Sequence, residues 1–126
     1  MVKKAIINQI KQDFSFIAQN PKILGILLYG SALDENNTVL NDIDICIVAP
    51  NQNLYEIYQF IMRHLTRHLI EYDIRFFEEL PLDIKGEIMD HGIVIYASDE
   101  PALYEYFFFA ARKEWEEMKF RMKYLI

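Results

Sequence analysis

Val2, Ile6, Ile10, Phe14 and Ile17 recur three or four residues apart, which lines them along one face of a helix, and Asn20-Pro21 stops that helix. Ile23, Leu24, Gly25, Ile26, Leu27, Leu28 and Tyr29 follow without a polar break, the pattern of a central strand covered on both faces. A second strand begins at Asp42. Its alternation sends Ile43, Ile45 and Ile47 to one side and Asp42 and Asp44 to the other. Leu54, Ile57, Ile61, Leu65 and Leu69 then mark a helix leading into a third strand over residues 71–77. A short helix over 82–91 is ended by Gly92, with His91 favourably placed at its negative end, and a fourth strand covers 93–97. Ser98 is expected to cap a final helix with Asp99 and Glu100 in its first turn, running to about Met122. Helices and strands alternate, so the chain reads as an α/β domain.

The final helix carries more aromatic residues than packing on a sheet requires. Leu103, Phe107, Ala111, Trp115, Met118 and Met122 make its core stripe, yet Tyr104, Tyr106, Phe108 and Phe109 leave its first half aromatic on nearly every side. The region around 99–122 is therefore expected to be covered by a partner or by a second copy in a homo-oligomer, the alternative being burial by the short helix and the N-terminal helix.

The turn after the first strand brings in chemistry. Gly30 lets the backbone come close to a ligand, and Ser31 offers a hydroxyl and starts a helix whose N-terminal N–H groups favour a phosphate. Ten residues later stands Asp42-Ile43-Asp44, and Asp44 enters an otherwise core-like strand, where a charge without a partner is expensive. Two carboxylates one pleat repeat apart are hard oxygen ligands suited to Mg²⁺, and paired Mg²⁺ ions neutralise phosphate charge in nucleotidyl transfer.

The segment LYGSALDENNTVLNDIDICIV resembles the glycine-serine, ten-residue, DxD signature of the polymerase-beta-like nucleotidyltransferases, specifically the single-domain minimal nucleotidyltransferases. The likeness is strong from about Ile23 to Leu80 and looser through Gly92 to Tyr96. It implies a mixed central sheet of about four strands flanked by helices, with ATP as substrate and Mg²⁺ as cofactor. It also implies a third carboxylate on a later strand, for which Asp73 in Glu71-Tyr72-Asp73-Ile74-Arg75-Phe76-Phe77 is the best match and Glu71 the alternative. Asp73 then serves as general base on the incoming hydroxyl, and Arg75 either steadies phosphate charge or pairs with Asp73 or Glu71. Relatives of this size resemble antitoxins encoded beside HEPN-domain toxins, some of which place AMP on a tyrosine of that partner. In one respect this chain departs from the pattern. Where many members have basic residues after the turn, it reads Ala32-Leu33-Asp34-Glu35-Asn36-Asn37, so either the loop points away from the triphosphate or nucleotide binds weakly.

Composition narrows the function classes. The chain has 126 residues, 52% of them hydrophobic, enough for one domain with a real core and no second domain to hold an acceptor. A formal charge of −6 argues against general nucleic-acid binding, which rests on clustered Lys and Arg. No apolar window approaches a membrane span, and the N-terminus has no continuous apolar core of a signal peptide, so a cytoplasmic protein with no membrane partner is expected. Cys46 falls in a core strand and reads as a buried hydrophobe rather than a nucleophile. His64 and His68 are four apart but lack an intervening glutamate, and Arg63 with His68 matches a ribonuclease spacing only by chance. The expectation is thus Mg²⁺-dependent transfer of AMP from ATP to a hydroxyl of a HEPN toxin, with catalysis and metal binding on Asp42, Asp44 and Asp73 and nucleotide binding on Gly30, Ser31 and Arg75. A non-catalytic docking antitoxin and an aminoglycoside-type nucleotidyltransferase are the rivals, the latter short of room for a substrate domain.

Overall fold

The apolar run after Pro21 becomes strand β1 (Gly25–Tyr29), and its first four residues are buried because a strand lies on each edge and a helical layer on each face. The computed structural model describes residues 4–33, 43–65 and 71–124. In chain order these are α1 (Lys4–Asp13), a 3₁₀ turn at Ser15–Gln19, β1, a 3₁₀ turn at Gly30–Leu33, β2 (Ile43–Val48), α2 (Leu54–His64), β3 (Tyr72–Phe76), a 3₁₀ turn at Phe77–Glu79, α3 (Leu82–His91), β4 (Ile93–Ala97), α4 (Glu100–Phe107), a π turn at Phe108–Arg112 and α5 (Lys113–Tyr124). The sheet order is β3-β2-β1-β4. β1 runs antiparallel to β2 and β4, whereas β2 and β3 are parallel, joined by the α2 crossover that parallel neighbours require. The sheet is mixed, as the resemblance implied.

Alternation divides the core into two layers. Ile43, Ile45 and Ile47 of β2 pack with Ile10, Phe14 and Ile17 of the N-terminal segment and Ile57 and Ile61 of α2. Cys46 and Val48 face the opposite way, onto Phe77, Ile88, Leu103, Phe107 and Ala111. Asp44 and Asp73 belong by parity to this second face, the side covered by α3 and α4. A polar tie closes the first layer, where Tyr72 donates to Asp13 at 2.5 Å and sets its ring edge-on to Phe14.

Several expectations shift by a residue or a turn. The first strand starts at Gly25 rather than Ile23, although the Leu24 N–H still bonds to the Val48 carbonyl at 2.8 Å. Asp99, not Ser98, caps α4, accepting from the Ala102 N–H at 3.1 Å; Ser98 instead donates backbone and side chain to the Leu24 carbonyl. Ser31 opens only a 3₁₀ turn within the described residues. The final helix is interrupted by the π turn, and its stripe stays buried through Leu103, Phe107, Ala111 and Trp115 but reaches the surface at Met122. Tyr106 is not a free surface aromatic either, since it packs on Phe77 and donates to Glu78 at 2.8 Å. Val2, Asp34, Glu35, Asp42, His68 and Leu69 lie outside the described residues. Among the described residues no helix is long and apolar enough to cross a membrane.

Helix α5 is anchored where it crosses α3. Trp115 lies directly on Gly86, so close that a Cβ there would overlap the indole, and its Nε1 donates to Asp90 at 2.8 Å. Arg112 and Lys119 reach the same carboxylate at 2.6 and 3.2 Å.

Candidate active site

Three polar side chains stand in one row across the sheet. Asp44 of β2 is the register partner of Tyr29 on β1 and of Asp73 on β3. Aligned positions on adjacent strands face the same way, so tyrosine and both carboxylates project from one face. The strands themselves are ordinary apolar core segments. What makes the site is that each strand breaks its apolar pattern, at Tyr29, at Asp44 and at Asp73, and folding stacks these three breaks in register.

Gly30 supports this row from beneath. Its φ of 77° is in the left-handed region, and a Cβ built on it would fall into the Asp44 carboxylate. Only a glycine admits both the turn and the acid above it. The carboxylate opens into a cleft of about 340 Å³ walled by Tyr29, Gly30 and Leu33 on one side and by Ile84, Glu87 and His91 of α3 on the other. Glu87 and His91, one helical turn apart at 4.0 Å, form its rim.

Arg75 lies two residues beyond Asp73 on the same face and bonds to it through both Nε, at 3.5 Å, and Nη2, at 3.3 Å. Of the two roles open to this arginine from sequence, the structure displays the ion pair with Asp73. That hydrogen bond and the Asp73 charge raise the Arg75 pKa, with Tyr29 and Asp44 adding to the effect. Burial and then the Asp44 charge push the Tyr29 hydroxyl up to about 12, with Asp73 contributing and Arg75 opposing. Tyr29 therefore stays protonated at neutral pH, a neutral donor beside two carboxylates.

Sequence reasoning passed over Tyr29, counting it with the apolar run; the signal was its place as the last strand residue before Gly30, where an aromatic ring can pack below while its hydroxyl reaches the site. Glu71 leaves its carbonyl bonded to the Ile43 N–H at 2.9 Å, with its residue exposed just before β3. The Cys46 thiol is fully buried and burial pushes its pKa up, which fits an inert core residue. His64 bonds to the Phe60 carbonyl at 2.8 Å and stacks on Phe16, a structural arrangement rather than a ligand's.

Asp44 and Asp73 supply oxygen donors of the kind Mg²⁺ takes. Among the described residues no group of three His, Cys, Asp or Glu side chains forms a metal site, and Asp42, the third acid expected from sequence, lies outside them.

A family model for polymerase beta nucleotidyltransferases matches residues 8–101, from α1 through the start of α4 and across the whole row. This chain is a polymerase-beta-type nucleotidyltransferase. A candidate protein adenylyltransferase of Methanocaldococcus jannaschii is 42% identical to this nucleotidyltransferase over 102 residues, covering 81% of this chain and 77% of the relative. Solved toxin-antitoxin structures share its fold. One with AMP-PNP superposes with a TM-score of 0.61 at 17% identity, covering 94% of each chain. Another, a tri-AMPylated Shewanella oneidensis HEPN toxin in complex with an MNT antitoxin, gives 0.56 at 17% identity, covering 97% of this chain and 93% of that one.

Proposed function

We propose that this nucleotidyltransferase transfers AMP from ATP to a hydroxyl, a tyrosine of a HEPN toxin, with Mg²⁺ as cofactor, and so acts as that toxin's antitoxin. The observation that carries the reading is the in-register pairing of Asp44 with Asp73 directly over Gly30. The adenylyltransferase assigned to the archaeal relative and the AMPylated toxin bound to an antitoxin of the same fold support the choice of AMP and of partner.

In this reading Asp73 accepts the proton of the acceptor hydroxyl as the oxygen attacks the α-phosphorus of ATP; the new P–O bond forms as the bond to the β-phosphate breaks, and pyrophosphate leaves. Asp44, Asp73 and Asp42 are the residues that would hold Mg²⁺, which would supply neutralisation of the phosphate charge. The Gly30 turn brings backbone against the phosphates without a side chain in the way. Arg75 orients Asp73 through Nε and Nη2 and turns its remaining N–H groups towards phosphate. Tyr29, protonated, stands beside the two carboxylates as a neutral hydroxyl. Positioning of the acceptor hydroxyl falls to the partner that carries it, and an AMP added near a ribonuclease groove opposes RNA by charge and bulk.

Incubating the partner with this protein, Mg²⁺ and ATP is expected to add about 329 Da per AMP, a mass set by the chemistry of adenylyl transfer. Asp73→Asn should abolish the gain while leaving the complex intact. A partner that is fully inhibited yet unmodified would overturn catalysis in favour of a docking antitoxin.

A further inference from the structure

The exposed side of the last helical segment has a symmetric order. Phe108 and Phe109, 63% and 77% exposed, meet edge to face with ring centroids 5.2 Å apart. One turn later come the basic Arg112 and Lys113, then the acidic Glu116 and Glu117, and then a second aromatic pair, Phe120 and Tyr124, with centroids 4.8 Å apart. The first aromatic pair and both charged pairs line a single groove of about 480 Å³. From either end the order is aromatic, charge, opposite charge, aromatic.

The π turn is what aligns these groups. Residues four apart advance about 40° round an α-helix, so Phe108, Arg112, Glu116 and Phe120 would wind away from a common side. The extra residue taken up between Phe108 and Arg112 turns the phase back by about 100°. The same adjustment keeps Ala111 and Trp115 in the core beneath.

We infer that this face is the two-fold interface of a homodimer, in which α4–α5 packs antiparallel on α4–α5 of a second copy. In an isologous contact, if residue i meets residue j, then j meets i. Phe108 and Phe120 lie equally far either side of position 114, as do Arg112 and Glu116, so antiparallel packing sets phenylalanine on phenylalanine and the basic turn on the acidic turn. A parallel copy would oppose like charges, and a partner of one sign would leave one charged turn unmatched. Arg112 is already held by Asp90 at 2.6 Å and Glu116 at 3.3 Å, so little side-chain freedom is lost on docking. The net charge of −6 does not oppose contact here, because the face itself is balanced and distant charges are screened beyond about 8 Å at physiological salt.

Sedimentation of the chain alone should give about twice the 15.0 kDa mass of one copy. Glu117→Lys should weaken the dimer at least tenfold with circular dichroism unchanged, and Lys113→Glu combined with Glu117→Lys should restore it. Phe108→Cys and Phe120→Cys chains, mixed, should form a disulfide with each other that neither forms alone, Cys46 being buried and silent. A monomer at every concentration, a double variant no tighter than Glu117→Lys, or Phe108→Cys cross-linking to itself would each overturn the inference, as would shielding of the groove only when a helical toxin is added.

Discussion

Adding one methyl at position 30 should damage catalysis far more than stability. In Gly30→Ala the backbone must keep a φ of 77°, which costs an alanine about 1–2 kcal/mol. The new Cβ would also occupy the space of the Asp44 carboxylate, so that acid must swing out of the row it forms with Tyr29 and Asp73. The total, about 1–3 kcal/mol, lowers Tm by roughly 4–10 °C for a domain of this size. Catalysis feels the displacement more strongly, since misplacing a reacting group by about 1 Å can cost about 100-fold. Gly86→Ala is the matched control. Its methyl would overlap the Trp115 indole, an overpacking of about 1–3 kcal/mol, on the side of α3 that packs on α5 and without entering the Asp44 carboxylate. Both variants should be compared by thermal denaturation and by the initial rate of AMP transfer well below either Tm. The expected result is similar Tm losses, with transfer about 100-fold slower only in Gly30→Ala. Transfer at the wild-type rate in Gly30→Ala, or an equal loss in Gly86→Ala, would refute the placement of the site.

Asp90→Asn should unclamp α5 in a pH-dependent way. Burial alone would raise the Asp90 pKa, but hydrogen bonds from Trp115, Arg112 and Lys119 outweigh it and hold the carboxyl at about 2 instead of 3.8. With the side chain 21% exposed, screening reduces the nominal linkage to about 1–2 kcal/mol. Because the folded pKa is depressed, that stability is fully present above about pH 4 and fades as pH falls towards 2, so the Tm gap between wild type and variant should narrow over that interval; a gap unchanged from pH 7 to pH 2 would exclude the ionic clamp. Mg²⁺ with ATP should raise Tm, by about 2.7 kcal/mol of added stability at a hundredfold excess over Kd, and Asp44→Asn should lose most of the shift. An equal shift in calorimetry or thermal denaturation would remove Asp44 from the nucleotide site.

The parts legible from sequence are those in which one local pattern decides the outcome. The β2 alternation placed Ile43, Ile45 and Ile47 in one layer, and the α3 and β4 spans coincide with their periodic runs. What could not be read is what depends on pairing between distant segments. Tyr29 joins Asp44 only because β1 and β2 pair in one of several registers, and its place before Gly30 does not say which residue of β2 it will meet. The cap moved from Ser98 to Asp99 because Ser98 was claimed by the Leu24 carbonyl, a partner 74 residues away. The π turn was hidden for a different reason: a steady spacing of four reads as ordinary helix, although holding Leu103 to Trp115 on one face requires an inserted residue.

The strand order β3-β2-β1-β4 also has a meaning for a chain made from its N-terminus. β1 is an apolar strand and emerges first, yet one of its edges is closed only by β4, whose last residue is Ala97. Until Ala97 has left the ribosome, that edge presents unpaired N–H and C=O groups along a hydrophobic ribbon, the kind of surface on which chains join to one another. The acidic row, by contrast, needs only β1, β2 and β3, so its charges come together on a sheet that is still open at one side. The nascent protein thus assembles its chemistry before it is protected from its neighbours, and β4 is the element that ends the exposure.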